Sequence, residues 1–277
     1  MNWKSYEDLT KDTLAFAEEL GKYDMIVGVP RSGMLPASII ALRWNVMLAS
    51  LDADGLLCIL NSGSRRELKK VNTILVVDDS VNHGQSLRLI KKIIEDKNVF
   101  PDKAIDYVAI YGRSDKGLEF KYYEDVPQGR MFQWNWLYHK ELLLKSCWDI
   151  DGCLCRKPTP EENDDGEKYR DFILNTEPKF IPTHPVGAIV TSRLEKFRPE
   201  TEEWLKKNGV KYDNLIMLNY PTAHVRRRMG HHGLHKAEVY QRTNAVLFVE
   251  DEEWQAKQIV EMTGRPVLCV TNWRLMK

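Results

Sequence analysis

The chain has 277 residues, and its 40 lysines and arginines balance its 40 aspartates and glutamates. This balance leaves no net field that would draw the protein onto nucleic acid or an anionic membrane, so any recognition of phosphate is local. The length suits one large domain or two ordinary ones, and we expect two.

The first residues, "MNWKSYEDLT", lack the basic and then apolar pattern of a signal peptide. No apolar run approaches the roughly 20 residues that span a bilayer, so we expect a cytoplasmic protein. The five cysteines have neither the spacing of a disulfide framework nor the CxxC spacing of zinc sites. Metal binding by thiols stays open, but buried and unreactive thiols are favoured.

Short aliphatic runs alternate with helical patterns along the chain, which is typical of βαβ units and a parallel sheet. In the first half, strands are predicted at 25–29, 45–50, 73–77 and 106–112. In the second half, they are predicted at 186–193, 214–219, 244–252 and 265–272. We therefore predict an α/β protein with two tandem domains, residues 1–142 and 143–277.

The segment 122–142 joins the two series and is rich in aromatic residues, so we do not expect a flexible linker. One interpretation makes it a hood over a ligand, with Phe132, Trp134 and Trp136 available to stack on a flat ring. The other, at least as strong, is an interdomain strand whose aromatic side chains are buried.

The segment 155–185 is polar and marked by prolines, and it interrupts the second series. It is either a disordered insertion or a small cap over a site. The helical pattern "KYRDFIL" within it favours the cap.

The stretch "TILVVDDSVNHGQS" places Asp78 and Asp79 directly after a predicted buried strand. Ligands of open parallel sheets bind at the carboxyl ends of the strands. The following loop opens into a helix at Ser86, so its backbone N–H groups can point at an anion, and Gly84 permits a close approach. Carboxylates for hydroxyl groups and amides for a phosphate together predict a sugar phosphate ligand.

A second junction of this kind is "VGVPRSGMLPA", in which Arg31, Ser32 and Gly33 form a tight turn that contains a cation. A pyrophosphate group requires such a turn. The basic stretch 62–70 includes Arg65 and Arg66, and we expect these mobile cations to close over a diphosphate.

These motifs resemble those of the type I phosphoribosyltransferases over residues 20–140. The resemblance implies that Asp78 and Asp79 bind the ribose of phosphoribosyl pyrophosphate (PRPP), and that Arg31, Ser32 and Gly33 bind its pyrophosphate with Mg²⁺. It implies a 5-phosphate site formed by Asn82, His83, Gly84, Gln85 and Ser86. A phosphoacceptor domain would also open with "VVDDS", but it would need an aspartate at the carboxyl end of the next strand. Asp106 lies at the start of that strand.

The stretch "CWDIDG" places Asp149 and Asp151 two residues apart at a predicted strand end. Side chains two apart on a strand project from the same face, so both carboxylates reach one ligand or metal. Gly152 lets the chain turn away. One carboxylate can attack phosphorus while the other moves the proton of the leaving group, with Mg²⁺ screening the charges.

This stretch resembles the first motif of the haloacid dehalogenase superfamily, and three further motifs follow in order. The resemblance implies an aspartyl-phosphate on Asp149 and a general acid and base at Asp151. It implies that Thr191, with Ser192 as the weaker alternative, holds the phosphoryl group and that Lys236 steadies the charge. The implied Mg²⁺ ligands are Asp149, Asp151, Glu250 and Asp251.

The segment "HVRRRMGHHGLH" (224–235) holds three arginines directly before Lys236. It could grip a second phosphate or a carboxylate of a substrate, but a solvated basic loop is the commoner outcome.

We therefore predict a phosphoribosyltransferase-like parallel sheet followed by a Rossmannoid haloacid dehalogenase-like domain with a small cap. The predicted function is a bifunctional enzyme of nucleotide metabolism, a glycosyltransferase that uses PRPP and a phosphatase. The expected partners are PRPP, an acceptor such as a nucleobase and a phosphomonoester, with no nucleic acid and no membrane, and a homodimer is left open. The alternative function is a PRPP- or nucleotide-sensing module fused to an active phosphatase.

Overall fold

A computed structural model describes residues 1–60, 70–230 and 232–277. The predicted basic residues Arg65 and Arg66 lie outside the described residues. The chain divides into two compact units, Asn2–Trp134 and Asn135–Lys277. This division falls before Asn135, whereas the predicted domain boundary follows residue 142.

The first unit is built on a six-stranded sheet. Its elements are β1 (Asn2–Lys4), α1 (Tyr6–Leu20), β2 (Met25–Gly28), α2 (Met34–Trp44), β3 (Met47–Leu51), β4 (Leu57–Ile59), β5 (Thr73–Ser80), α3 (Gln85–Asp96), β6 (Ala104–Gly112), β7 (Lys121–Asp125) and β8 (Arg130–Phe132). The strand order is β4-β3-β2-β5-β6-β7, and all pairs are parallel except β3 with β4. The prediction of an α/β fold with a parallel sheet is confirmed for this unit.

The central strand β5 shows why its sequence is an uninterrupted aliphatic run. Ile74 and Val76 pack into one hydrophobic cluster together with α3, whereas Leu75 and Val77 pack into another cluster together with α1 and α2. A parallel strand that is covered on both faces has no position for a polar side chain until it ends. Asp78 and Asp79 mark that end.

The second unit carries its own six-stranded sheet. Its elements are α4 (Lys140–Leu143), β9 (Ser146–Trp148), α5 (Glu167–Asn175), β10 (Val186–Leu194), α6 (Arg198–Lys207), β11 (Tyr212–Leu218), α7 (Ala223–Met229), α8 (His232–Arg242), β12 (Leu247–Glu250), α9 (Glu253–Thr263), β13 (Val267–Cys269) and β14 (Arg274–Met276). The strand order is β11-β10-β9-β12-β13-β14. The sheet is mixed because β14 runs antiparallel to β13.

The position of β9 decides where the second candidate site lies. This strand pairs in parallel with β10 on one side and β12 on the other, so the residues that follow these three strands meet at one edge of the sheet. The predicted cap segment, 155–185, contains the helix α5. Four of the five cysteines are buried and Cys58 is exposed. Over the described residues, no helix combines the length and apolarity needed to cross a membrane.

Candidate functional site

Asp78 and Asp79 lie at the carboxyl end of β5 with only 7% and 4% of their surface exposed. The indole Nε1 of Trp134 donates a hydrogen bond to Asp79 Oδ2 at 2.7 Å, and the Asp79 amide donates to Asp78 Oδ1 at 2.9 Å. Burial, and then the neighbouring charge of Asp79, raise the pKa of Asp78 to about 8. At neutral pH Asp78 therefore keeps its proton and can donate a hydrogen bond, which suits a hydroxyl ligand.

The loop 29–33 packs its backbone directly against the end of β5. A Cβ atom on Gly33 would lie 2.6 Å from the carbonyl oxygen of Val29, 2.7 Å from that of Val77 and 3.0 Å from Asp78 Cα. Only a residue without a side chain allows this approach. The approach brings the loop that contains Arg31 and Ser32 to the same end of the sheet as Asp78, and α2 begins one residue after Gly33.

The loop after β5 ends at Gly84, whose φ of 73° is the left-handed conformation that glycine adopts without strain. The helix α3 begins at Gln85, so Gln85 and Ser86 form its first turn, where the backbone N–H groups have no partner within the helix. Arg88 Nη1 donates to the carbonyl oxygen of His83 at 2.9 Å. The Val81 amide already donates to the Tyr111 carbonyl oxygen, so the candidate donors to an anion are the amides from Asn82 onwards.

Arg113 is a residue of this region that sequence reasoning missed. Its side chain is buried, and its Nη1 donates to Asn82 Oδ1 at 2.8 Å. Its Nε and Nη2 bind the carboxylate of Asp115 at 2.9 and 2.6 Å. The sequence signal was its position directly after β6, because β6 is the neighbour of β5 and ends at the same edge.

The aromatic residues predicted to stack on a ligand pack against other aromatic rings. Phe132 is 4% exposed, and Trp134 stacks on it with ring centroids 5.0 Å apart. Trp136 belongs to the second unit, is 4% exposed and stacks on Trp148 at 5.1 Å. The faces of Phe132 and Trp136 are therefore covered by protein, and Trp134 contributes its N–H group to Asp79.

In the second unit, Lys236 of α8 lies among the side chains at the end of the sheet. It is 1% exposed, and its Nζ lies 2.7 Å from Asp149 Oδ2, 2.7 Å from Glu250 Oε2 and 2.9 Å from Gln255 Oε1. Burial raises the pKa of Glu250 to about 8 although Lys236 opposes the shift, and burial raises the pKa of Asp149 in the same way. Burial alone would lower the pKa of Lys236, but the two carboxylates reverse this effect, so Lys236 remains an ammonium.

Three carboxylates of this unit could hold a metal ion. Asp149, Glu250 and Asp251 each offer an oxygen within 4.8 Å of the others, and no other such group of His, Cys, Asp or Glu occurs in the part of the chain that the structure describes. Carboxylate oxygens are the ligands that Mg²⁺ prefers. The predicted ligand Asp151 is not in this group. Lys157 Nζ lies 2.6 Å from Asp251 Oδ2, so Mg²⁺ would replace an ammonium contact there.

Asp151 is instead paired with Arg193, a second residue that sequence reasoning missed. Arg193 is fully buried, and its Nη2 and Nε donate to the Asp151 carboxylate at 2.6 and 3.2 Å. The hydroxyl of Tyr169, from α5, donates to the same carboxylate at 3.4 Å. Burial would raise the pKa of Asp151, but the Arg193 guanidinium lowers it below its usual value. Asp151 is therefore ionised and able to accept a proton.

The predicted residues of the second unit, except Glu250, line one cavity of about 230 Å³. Its wall includes Asp149, Asp151, Thr191, Lys236 and Asp251 from the sheet end and α8, and Lys157, Asn163 and Tyr169 from the cap segment. Thr191 is buried, and its Oγ1 accepts a hydrogen bond from the amide of Arg193 at 3.2 Å. Glu250 is not a lining residue of this cavity, and its carboxylate accepts a hydrogen bond from Lys236.

Comparisons with known proteins address the first unit. The xanthine-guanine-hypoxanthine phosphoribosyltransferase of Helicobacter pylori is 26% identical over 48% of this chain and 91% of its own, with a TM-score of 0.39. A purine phosphoribosyltransferase from Pyrococcus horikoshii is 21% identical over 48% of this chain and 92% of its own, with a TM-score of 0.38. No curated protein matches the chain.

A model of the phosphoribosyl transferase domain family matches residues 2–140. The match ends before β9, so it does not extend over the residues that resemble the haloacid dehalogenase superfamily. It includes both loops at the end of β5 and the two buried aspartates, and it confirms the predicted resemblance for this part. Because the match spans half of the 277 residues, the chain belongs to the phosphoribosyl transferase domain family.

Proposed function

We propose that the first unit transfers a phosphoribosyl group from PRPP to a ring nitrogen of a nucleobase-like acceptor. The observation that carries the proposal is the pair of buried carboxyl groups, Asp78 and Asp79, at the strand end where the loops 29–33 and 81–84 meet. The carboxyl groups bind the ribose hydroxyls, and the amides of the second loop bind the 5-phosphate. The loop that contains Arg31 binds the pyrophosphate.

The reaction requires that the charge of the leaving group is stabilised and that the reactants are positioned, and it does not require a nucleophile from the protein. The bond from the ribose C1 to the pyrophosphate oxygen breaks, its electron pair leaves with pyrophosphate, and the lone pair of the acceptor nitrogen forms the new bond. Mg²⁺, if bound with the diphosphate, would supply positive charge for the leaving group. Asp78 and Asp79 hold the ribose in place, so the reacting carbon keeps its orientation towards the acceptor.

Pyrophosphate release from PRPP and Mg²⁺ across a panel of nucleobases tests this proposal. We expect turnover with at least one base and a loss of about tenfold or more for Asp79→Asn, because the variant weakens the hydrogen bond that a ribose hydroxyl donates to a charged group. Asp106→Asn is the matched control, because Asp106 lies in the first half of β6 and accepts a hydrogen bond from Tyr23. PRPP binding by calorimetry without turnover on any base would favour the sensing module instead.

We propose that the second unit hydrolyses phosphomonoesters through an aspartyl-phosphate. Asp149 attacks phosphorus, and Lys236 at 2.7 Å stabilises the negative charge of the nucleophile and the phosphoryl oxygens. The bond from phosphorus to the ester oxygen breaks, and its electron pair leaves with that oxygen, which takes up a proton from Asp151. Asp151, which Arg193 holds ionised in the free site, obtains this proton from the monoanionic substrate and later accepts another from the water that hydrolyses the aspartyl-phosphate. Asp149, Glu250 and Asp251 fit Mg²⁺ by their oxygen donors, and bound Mg²⁺ would screen the carboxylates from the phosphate.

Phosphate release from a generic ester such as phenyl phosphate tests this second proposal. We expect Asp149→Asn to abolish the release and chelation of Mg²⁺ to suppress it reversibly. Asp213→Asn is the control, because this carboxylate is exposed on β11. Unchanged hydrolysis by Asp149→Asn would remove Asp149 as the nucleophile.

The two activities gain from acting in sequence. Transfer from PRPP is reversible, so removal of the 5-phosphate from a nucleotide product would pull it forward. Incubation of PRPP, Mg²⁺ and an accepted base with the wild-type protein is then expected to give a nucleoside and free phosphate. The same incubation with Asp149→Asn is expected to stop at the nucleotide. Identical products from both proteins would show that the activities are not coupled.

A further inference from the structure

Arg226 is a buried cation that the proposed phosphatase mechanism does not use. It lies on α7 and is 8% exposed, and its Nη1 donates to the carbonyl oxygen of Ser192 at 2.7 Å. Its Nε is buried and has no hydrogen-bond partner among the described residues, and the same holds for the hydroxyl of Ser192. Both residues line the 230 Å³ cavity that contains Asp149.

Leaving a buried guanidinium N–H and a buried hydroxyl without partners costs free energy. Such a cost is retained where a ligand supplies the partner. The fork of a guanidinium group matches the two oxygens of a phosphate or a carboxylate. The unpaired groups of Arg226 and Ser192 therefore fit an oxyanion.

The contacts of Arg226 indicate which side of the cavity it serves. Its guanidinium bonds the carbonyl oxygen of Ser192, and Ser192 directly precedes Arg193, whose guanidinium holds Asp151. Asp151 serves the leaving group in the proposed mechanism. An oxyanion on Arg226 therefore belongs to the departing part of the substrate.

We propose that Arg226 and Ser192 form a second anion subsite, which binds a phosphate or carboxylate on the departing part of the phosphomonoester. The proposal rests on the phosphatase function proposed above and names its substrate class, a phosphomonoester with a second oxyanion. The cavity, at about 230 Å³, is smaller than typical ligand cavities, which have about 300–1,000 Å³. We therefore expect it to hold the two oxyanions and the atoms between them, while the rest of the substrate lies outside.

Binding to Asp149→Asn tests the subsite without turnover. Calorimetry would compare adenosine 3′,5′-bisphosphate with adenosine 3′-monophosphate and 5′-monophosphate, and 3-phosphoglycerate with glycerol 3-phosphate. We expect the second oxyanion to tighten binding about tenfold or more in at least one pair, the first pair indicating a phosphate and the second a carboxylate. Adding Arg226→Gln is expected to remove most of this preference, and adding Arg226→Lys to restore part of it.

The matched control is Arg228→Gln, because Arg228 is exposed on the same helix. Circular dichroism would establish that each variant is folded. Equal affinities within every pair would overturn the proposed subsite. An Arg226→Gln change that weakens the binding of all ligands by the same factor would also overturn it, because Arg226 would then bind the transferring phosphoryl group. Turnover of phenyl phosphate by the wild-type protein tests the phosphatase function separately. If the protein shows no turnover but still binds ligands with a second oxyanion more tightly, the subsite stands and the phosphatase function fails.

Discussion

Replacing Gly33 by alanine would place a methyl group against three backbone atoms at the end of β5. The new Cβ would lie 2.6 Å from the Val29 oxygen, 2.7 Å from the Val77 oxygen and 3.0 Å from Asp78 Cα. Optimal carbon contacts are about 3.5–4.0 Å, so two carbonyl groups would each have to move by roughly 0.8 Å. The Val77 carbonyl lies inside β5 and cannot rotate away as a side chain does.

Small-to-large changes in packed sites cost about 1–3 kcal/mol, and we expect Gly33→Ala near the upper end because backbone atoms meet the methyl group. The simplest relief moves the loop 29–33 away from β5, which separates Arg31 from the pair formed by Asp78 and Asp79. A loss of about 3 kcal/mol corresponds to roughly a 150-fold weaker binding of PRPP.

Isothermal titration with PRPP and Mg²⁺ measures this loss of affinity. Thermal unfolding shows how much of the cost appears as a lower stability of the fold instead. Ser38→Ala on the same helix is the matched control, because its hydroxyl bonds the Met34 carbonyl within α2 and the change adds no atom. PRPP affinity and unfolding temperature that both equal those of the wild-type protein would refute the reasoning from close approach.

Three further changes probe individual contacts. Trp134→Phe keeps an aromatic ring but removes the donor to Asp79, so PRPP binding by calorimetry is expected to weaken about tenfold or more. In Lys236→Met, Asp149 faces other buried carboxyl groups without the ammonium. We expect hydrogen exchange of the β9 amides to show that their free energy of opening falls by about 3–5 kcal/mol. Asp78→Asn removes a carboxyl whose folded pKa is about 8 against an unfolded value of about 3.9, so wild-type stability falls between these values by up to ~1.4 kcal/mol per pH unit. We therefore expect the free energy of unfolding, measured with urea, to favour the variant over the wild type by a larger margin at pH 8 than at pH 5.

Each of these expectations has a contrary result. Equal PRPP affinity for the wild type, Trp134→Phe and the exposed control Trp254→Phe would show that Asp79 needs no donor. If Lys236→Met does not change the hydrogen exchange of β9, protonation of one of the carboxylates relieves the repulsion between them. A stability difference for Asp78→Asn that does not vary with pH would place the folded pKa of Asp78 near its unfolded value.

The sequence determined the positions of Asp78, Asp79 and Asp149 because strand ends are local features. A continuous aliphatic run requires a strand that is covered on both faces, and the first carboxylates after it mark the edge where ligands bind. Loop glycines such as Gly33 and Gly84 were equally visible as breaks before helices. For the same reason the α/β class and most of the strands of the two sheets were predictable.

Only the tertiary structure decided which side chains those carboxylates face. Arg193 was visible two residues after Thr191, yet its burial against Asp151 depends on β9 and β10 being neighbours. The same holds for Trp134 and Asp79, which are 55 residues apart in sequence. Such contacts are set by strand order and by the packing of distant elements, and no periodicity in the chain records them. The sequence therefore indicated where the candidate sites lie, and the fold decided the charge states and the partners of their side chains.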